Sequence, residues 1–253
     1  MQFPRLDRRS FVLCGAIAAA LAGARSTQAA VMLQNNVGLG ADAPLGSDTG
    51  FSDTGAFGAS STSMEVRAND TATSRNRLGI LRFDLSEISG DMSGASVTLY
   101  ETGNNSRTVT VYGLLDGDAG ENWDESTISY STAPAISAIT GTSTAPATAF
   151  DPARTVLLGT FGTTGSTTEN LIFSSAELDS FLAADTNDLV TLYFYRDGGG
   201  SVTLRTKEFN YTGTIGAPPT LTLPNAEVPE PAALSLLGFA TVALSARRRR
   251  ARV

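Results

Sequence analysis

A period-two rhythm constrains this chain's fold more than any other feature. Short runs in which every second side chain is apolar recur through most of its middle. Successive strand side chains point to opposite faces, so each such run buries one face and presents the other. LRFDL puts Leu81, Phe83 and Leu85 on one face, and Arg82 and Asp84 on the other. ASVTLYE alternates Ala95, Val97 and Leu99 with Ser96, Thr98 and Tyr100. VTVYGLL, TVLLGTF, NLIFS, LVTLYFYR, SVTLRTKEF and PTLTL continue the series, and WDES begins a further strand. Asn104-Asn105 marks a turn, and Asp197 to Gly200 a tight hairpin. One segment breaks the rhythm. Ser174 can cap a helix, Glu177 stands three residues on as in a capping box, and Leu178, Phe181 and Leu182 form an apolar stripe. The stretch from Gly38 to Ser63, rich in Gly, Ser, Thr and Asp, reads as a long loop beside the first strand. Many short strands joined by such loops predict an all-β sandwich with one short helix.

The two ends carry different signals. Arg5, Arg8 and Arg9 precede an apolar stretch from Phe11 to Ala22, and small residues follow up to Ala29. Residues 1–29 therefore read as an export signal with a helical apolar region, cleaved near Ala29 or Ala30. DRRSFVL resembles a twin-arginine export signal, and Sec export is the alternative. Cys14, the single cysteine, lies inside this segment as apolar filler. At the other end, residues 227–253 hold Pro229-Glu230-Pro231, an uncharged apolar run over 232–246, and the cluster Arg247, Arg248, Arg249 and Arg250. That run is shorter than the ~20 residues of a comfortable transmembrane helix, but it can cross a thin bilayer. The arginines stay on the cytoplasmic side, which leaves the bulk of the chain outside.

Residues 30–226 are then the working domain. They hold 22 Asp and Glu against 9 Arg and Lys, a net charge of −13, whereas the whole chain carries −7. Such a surface repels nucleic acid and anionic lipid. With no histidine in the chain and no cysteine in this domain, His-based triads, cysteine nucleophiles and His-ligated zinc are unavailable. A carboxylate pair for glycoside hydrolysis stays open, because so many acids offer pairs. Gly198-Gly199-Gly200 is a turn, not a phosphate cradle.

Three groups of residues could make a site. Trp123, the only tryptophan, could stack on a sugar face, or it could plug one end of the sandwich while Asp124 and Glu125 cap the next strand. Arg77, Arg82 and Lys207, with Arg75 and Arg205 near them in sequence, could hold a uronate or sulfate. Alternatively, Arg82 pairs with Asp84 or Glu208 on the sheet exterior. A structural calcium has weak candidates in Asn69 and Asp70, and in Asp116 and Asp118 of DGDAGEN, where Gly120 stands at an expected ligand position. No other cofactor is indicated.

Two resemblances give these residues a context. The tail with its Pro-Glu-Pro, apolar run and arginines resembles the PEP-CTERM sorting signal of Gram-negative bacteria. That resemblance implies transient anchoring in the inner membrane, processing by an exosortase and delivery to the cell surface. NRLGILRFDLSEISG, VTVYGLL, ENWDESTISYSTAPAI, TLRTKEFN and APPTLTL stand in the order seen in DNRLRE-type domains, which are similar to a carbohydrate-binding module family. The likeness spans roughly Val31 to Leu223. It implies a jelly-roll fold and a non-catalytic surface or matrix domain that binds extracellular polysaccharide. The loose, glycine-rich beginning departs from that pattern. The rival reading is a secreted polysaccharide-degrading enzyme, a glycosidase or lyase.

Overall fold

The computed structural model describes residues 29–46, 61–67, 77–103, 105–136, 150–196, 200–212 and 216–228. The signal helix, the tail from Pro229 onward, Asn69, Asp70, Arg75 and the turn at Asp197 lie outside the described residues. Among the described residues no helix is long and apolar enough to cross a membrane.

Thirteen strands and one helix are described, in the order β1 (Val31–Gln34), β2 (Ala41–Gly46), β3 (Ser63–Val66), β4 (Arg77–Asp84), β5 (Ser89–Gly90), β6 (Ser96–Glu101) and β7 (Thr108–Leu114). There follow β8 (Thr155–Gly162), β9 (Glu169–Phe173), α1 (Ala176–Ala183), β10 (Leu189–Tyr195), β11 (Val202–Arg205), β12 (Thr220–Leu223) and β13 (Ala226–Glu227). They form an all-β structure of two main antiparallel sheets. One runs β1-β12-β6-β11-β3, with β9 along the free side of β6. The other runs β2-β4-β10-β7-β8. A short β5–β13 pair stands apart.

The alternation read from the sequence places the first core between the sheets. Val97, Leu99, Leu221, Leu223, Val202, Leu204, Met64 and Val66 of the six-stranded sheet share one cluster with Leu81, Phe83, Val190, Leu192, Phe194, Val109 and Val111 of the five-stranded sheet. Phe83 is fully buried in it.

The opposite face of the five-stranded sheet is covered too. Leu45, Leu78, Ile80, Leu114, Tyr193 and Tyr195 form a second cluster with Trp123, Ile128, Tyr130, Ala133 and Ala135 of the segment 121–136, and with Phe150. The strand expected from WDES does not form. The segment folds as consecutive turns, because its own polar groups satisfy its backbone. Asp124 Oδ1 accepts from Ser126 N at 2.8 Å, and Ile128 N donates to Asp124 O at 2.8 Å. The Tyr193 hydroxyl donates to Pro134 O at 2.5 Å and fastens the cover to the sheet.

Two other expectations shift. Within Gly38–Ser63, Ala41–Gly46 is a strand, all six residues buried and paired with β4 in the register Ala43↔Ile80. Small residues and Pro44 hid it, and proline is tolerated because β2 is an edge strand. The helix cap is Ser175, not Ser174: its Oγ accepts from Leu178 N at 2.9 Å. Glu177 is then only the second helical residue, so no reciprocal box can close. Leu178 and Leu182 are buried, while half-buried Phe181 lies over Gly113. A Cβ at Gly113 would stand 2.6 Å from that ring, which is why this strand position has no side chain.

Candidate functional site

Arg82 is 5% exposed on the covered face of β4. Its Nε donates to Leu39 O at 2.7 Å, and its Nη1 to Glu121 O at 3.0 Å and Trp123 O at 2.8 Å. The guanidinium also sits 4.8 Å from the centre of the indole ring. The exterior ion pair expected from strand alternation does not form, because the cover turns that face into interior. Burial lowers the pKa of Arg82, and Asp84, Glu125, Glu121 and Asp124 oppose that shift. Trp123 is 7% exposed, and its Nε1 donates to Thr191 Oγ1 at 3.2 Å. Arg82 and Trp123 therefore meet, as braces of one wall.

Lys207 belongs to the same neighbourhood. Its ammonium pairs with Glu125 Oε2, donates to Gly40 O at 3.3 Å and lies 3.9 Å from Glu208 Oε1. Asp42, Glu125 and Glu208 converge here, each bringing one ligand oxygen within 4.8 Å of the others. Asp42 is fully buried; its Oδ2 accepts from Asn35 Nδ2 at 2.5 Å and Lys207 N at 2.9 Å. Burial pushes its carboxyl up to about 6, against the backbone bond from Lys207. Burial also raises the pKa of Glu125 and Glu208, with Lys207 opposing both. Sequence reasoning did not find this cluster, because its members come from distant parts of the chain and share no motif.

Arg77 does not join them. It stands at the far end of β4, five residues or ~17 Å of strand from Arg82. There it pairs with Glu65 of β3. Of the calcium candidates, Asp118 is held by Arg154 through bonds of 2.6 and 2.7 Å and accepts from Gly120 N at 2.8 Å. The Arg154 bonds depress its carboxyl, against burial. Asp116 accepts from Thr186 Oγ1 at 2.6 Å. These contacts engage Asp116 and Asp118 with neighbouring side chains, while Asp116, Gly117, Ala119 and Asn122 stay exposed.

The outer face of the six-stranded sheet is open by comparison. Ser96, Thr98 and Thr222 present partly exposed hydroxyls, flanked by Asn170 and by Met32 and Ile172, which are 69% and 65% exposed. Register places Ile172 beside Thr98 and Met32 beside Thr222. At one border the Arg205 guanidinium stacks 4.3 Å over Phe209, which meets Tyr211 edge-on at 5.0 Å.

The described strands thus form a two-sheet antiparallel sandwich with one open, hydroxyl-bearing face. Residues 48–151 match the family model of carbohydrate-binding module family 96, and residues 227–250 match the PEP-CTERM protein-sorting motif. The module match takes in β3 to β7, Arg77, Arg82 and Trp123, and it stops short of Lys207. The second match covers Pro229 to Arg250, including the tripeptide, the apolar run and the four consecutive arginines, as in exosortase-processed surface proteins. No curated protein matches the chain.

Proposed function

We propose that this chain is an exported, exosortase-sorted surface protein whose jelly-roll-type sandwich binds extracellular polysaccharide without cleaving it. The observation that carries the reading is the carbohydrate-binding-module match on residues 48–151, joined in one chain to the sorting motif. The open face of the six-stranded sheet is the surface we assign to the glycan. Hydroxyls and an amide can pair with sugar hydroxyls, and Met32, Ile172 and Phe209 can pack on sugar faces. Arg82 and Lys207 are engaged inside and Arg77 is paired apart from them, so the three cations do not compose an anion site. The preferred ligand is therefore a neutral polysaccharide, consistent with the domain's net charge of −13.

A glycan array on the purified protein at two salt concentrations tests this. Neutral glycans bind with little salt dependence, and Thr98→Arg in the middle of the open face abolishes binding. Binding only of acidic glycans, weakening as the Debye length shrinks from about 30 Å at 0.01 M to about 10 Å at 0.1 M, would overturn the assignment. Release of reducing sugar or unsaturated uronate would favour the degrading enzyme. Sorting has its own test. Replacing Pro229, Glu230 and Pro231 with alanine leaves a longer, membrane-retained chain, whereas wild-type size at the surface refutes the sorting reading.

A further inference from the structure

We propose that Asp42, Glu125 and Glu208 form a calcium site, which fastens the turn before β2 and the segment after β11 to the cover over the five-stranded sheet. At this cluster the protein leaves buried oxygens without partners. Lys207 takes Glu125 Oε2 and faces Glu208 Oε1, while Glu125 Oε1 and Glu208 Oε2 are buried with no N–H or O–H donor and the two carboxyls lie within reach of each other. Asp42 Oδ2 accepts two hydrogen bonds, and its Oδ1 has none although the residue is fully buried. Outside the acidic set, Asn35 is also fully buried; its amide nitrogen rests on Asp42 and its Oδ1 is unpartnered. Asp42 and its neighbour Asn35 thus each keep one oxygen unpartnered beside the convergence of the three acids, and this calls for a bound group, since buried polar atoms left unpaired are costly and rare.

The charges say what kind of group. Three carboxylates face one ammonium, with the Arg82 guanidinium acting on Glu125 from farther off, so negative charge is in excess at an interior site, and a divalent cation offsets it. The donors are all oxygens, which suits a hard cation. They come from separate segments: the turn holding Asn35, β2, the cover and the turn after β11. So irregular a set favours calcium, which accepts six to eight ligands flexibly, over magnesium with its demand for an octahedron. The residues differ from Asn69, Asp70, Asp116 and Asp118, and the inference does not depend on glycan binding.

The test uses the full chain in detergent, stripped with a chelator and titrated with calcium chloride. At calcium one hundred times its dissociation constant, the melting temperature should rise by about 5–11 °C for a domain of this size. Terbium, a luminescent calcium mimic, should bind once per chain and light up on excitation of Trp123, which stands two residues from Glu125. Calcium should quench that signal by displacement. Glu208→Gln and Glu125→Gln should each weaken metal binding at least tenfold; if one fails to fold, the other variant and the wild-type titration still decide. No thermal shift and no terbium signal in the wild type would overturn the proposal. An equal response to magnesium, or variants that bind metal as the wild type does, would overturn it as well.

Discussion

Replacing Arg82 with alanine should destabilise the fold by about 3–5 kcal/mol. The side chain is 5% exposed and donates to three backbone carbonyls, of Leu39, Glu121 and Trp123, at 2.7, 3.0 and 2.8 Å. A hydrogen bond to a charged group contributes about 1.5–3 kcal/mol, and a buried acceptor left without a donor costs about 1–3 kcal/mol. The three bonds leave one guanidinium, so their losses do not simply add, and water entering the vacated space recovers part of them. The stacking on Trp123 contributes about another 0.5–2 kcal/mol. A loss near that of breaking a buried charge network follows. Urea unfolding followed by Trp123 emission measures it: the midpoint falls while the slope stays unchanged. Arg82→Lys should recover only part of the loss, because an ammonium cannot reach three carbonyls as a planar fork does. If Arg82→Ala unfolds within 1 kcal/mol of the wild type yet abolishes glycan binding, Arg82 is a ligand contact and the structural reasoning fails.

Phe83→Ala should cost about 3–5 kcal/mol in the same assay, since the ring is fully buried between the sheets. A loss under 1 kcal/mol would mean that the strand faces are reversed. Glu101, fully buried at the end of β6, has its carboxyl pushed up from 4.5 to about 7 by burial, then by Glu169. The folded chain thus keeps a proton that the unfolded chain releases, so this residue's contribution to stability is full below about pH 4.5 and is lost as pH rises to about 7. Glu101→Gln should accordingly narrow the difference in melting temperature between pH 5 and pH 8. An unchanged or widened difference would show that Glu101 titrates normally.

How much was legible depends on how local the signal is. Leu81, Phe83 and Leu85 alternate with polar neighbours, and that pattern alone places them in the first core. The C-terminal tripeptide, apolar run and arginines are contiguous, so the sorting motif could be read directly. The helix was legible to within one residue, since Ser174 and Ser175 offer the same hydroxyl and only the bond to Leu178 N separates them. β2 was not legible, because its six residues resemble a loop until β4 lies alongside and buries them.

The site residues mark the same divide more sharply. Trp123, Arg82 and Lys207 could be named as notable from their types, but their surroundings could not. The alternation rule assumes that one face of each strand is wet. Here the segment 121–136 folds back over that face and turns an expected exterior arginine into an interior brace. Asp42, Glu125 and Glu208 stand far apart along the chain, and only the meeting of the β2 edge, the cover and the turn after β11 brings their oxygens within 4.8 Å. By itself the sequence determined the alternating strands such as β4, β6 and β10, the first core and the C-terminal sorting motif, because side-chain periodicity and contiguous motifs are properties of neighbours along the chain. Tertiary structure decided which sheet face is covered and which charges meet, because burial and electrostatics depend on distance in space.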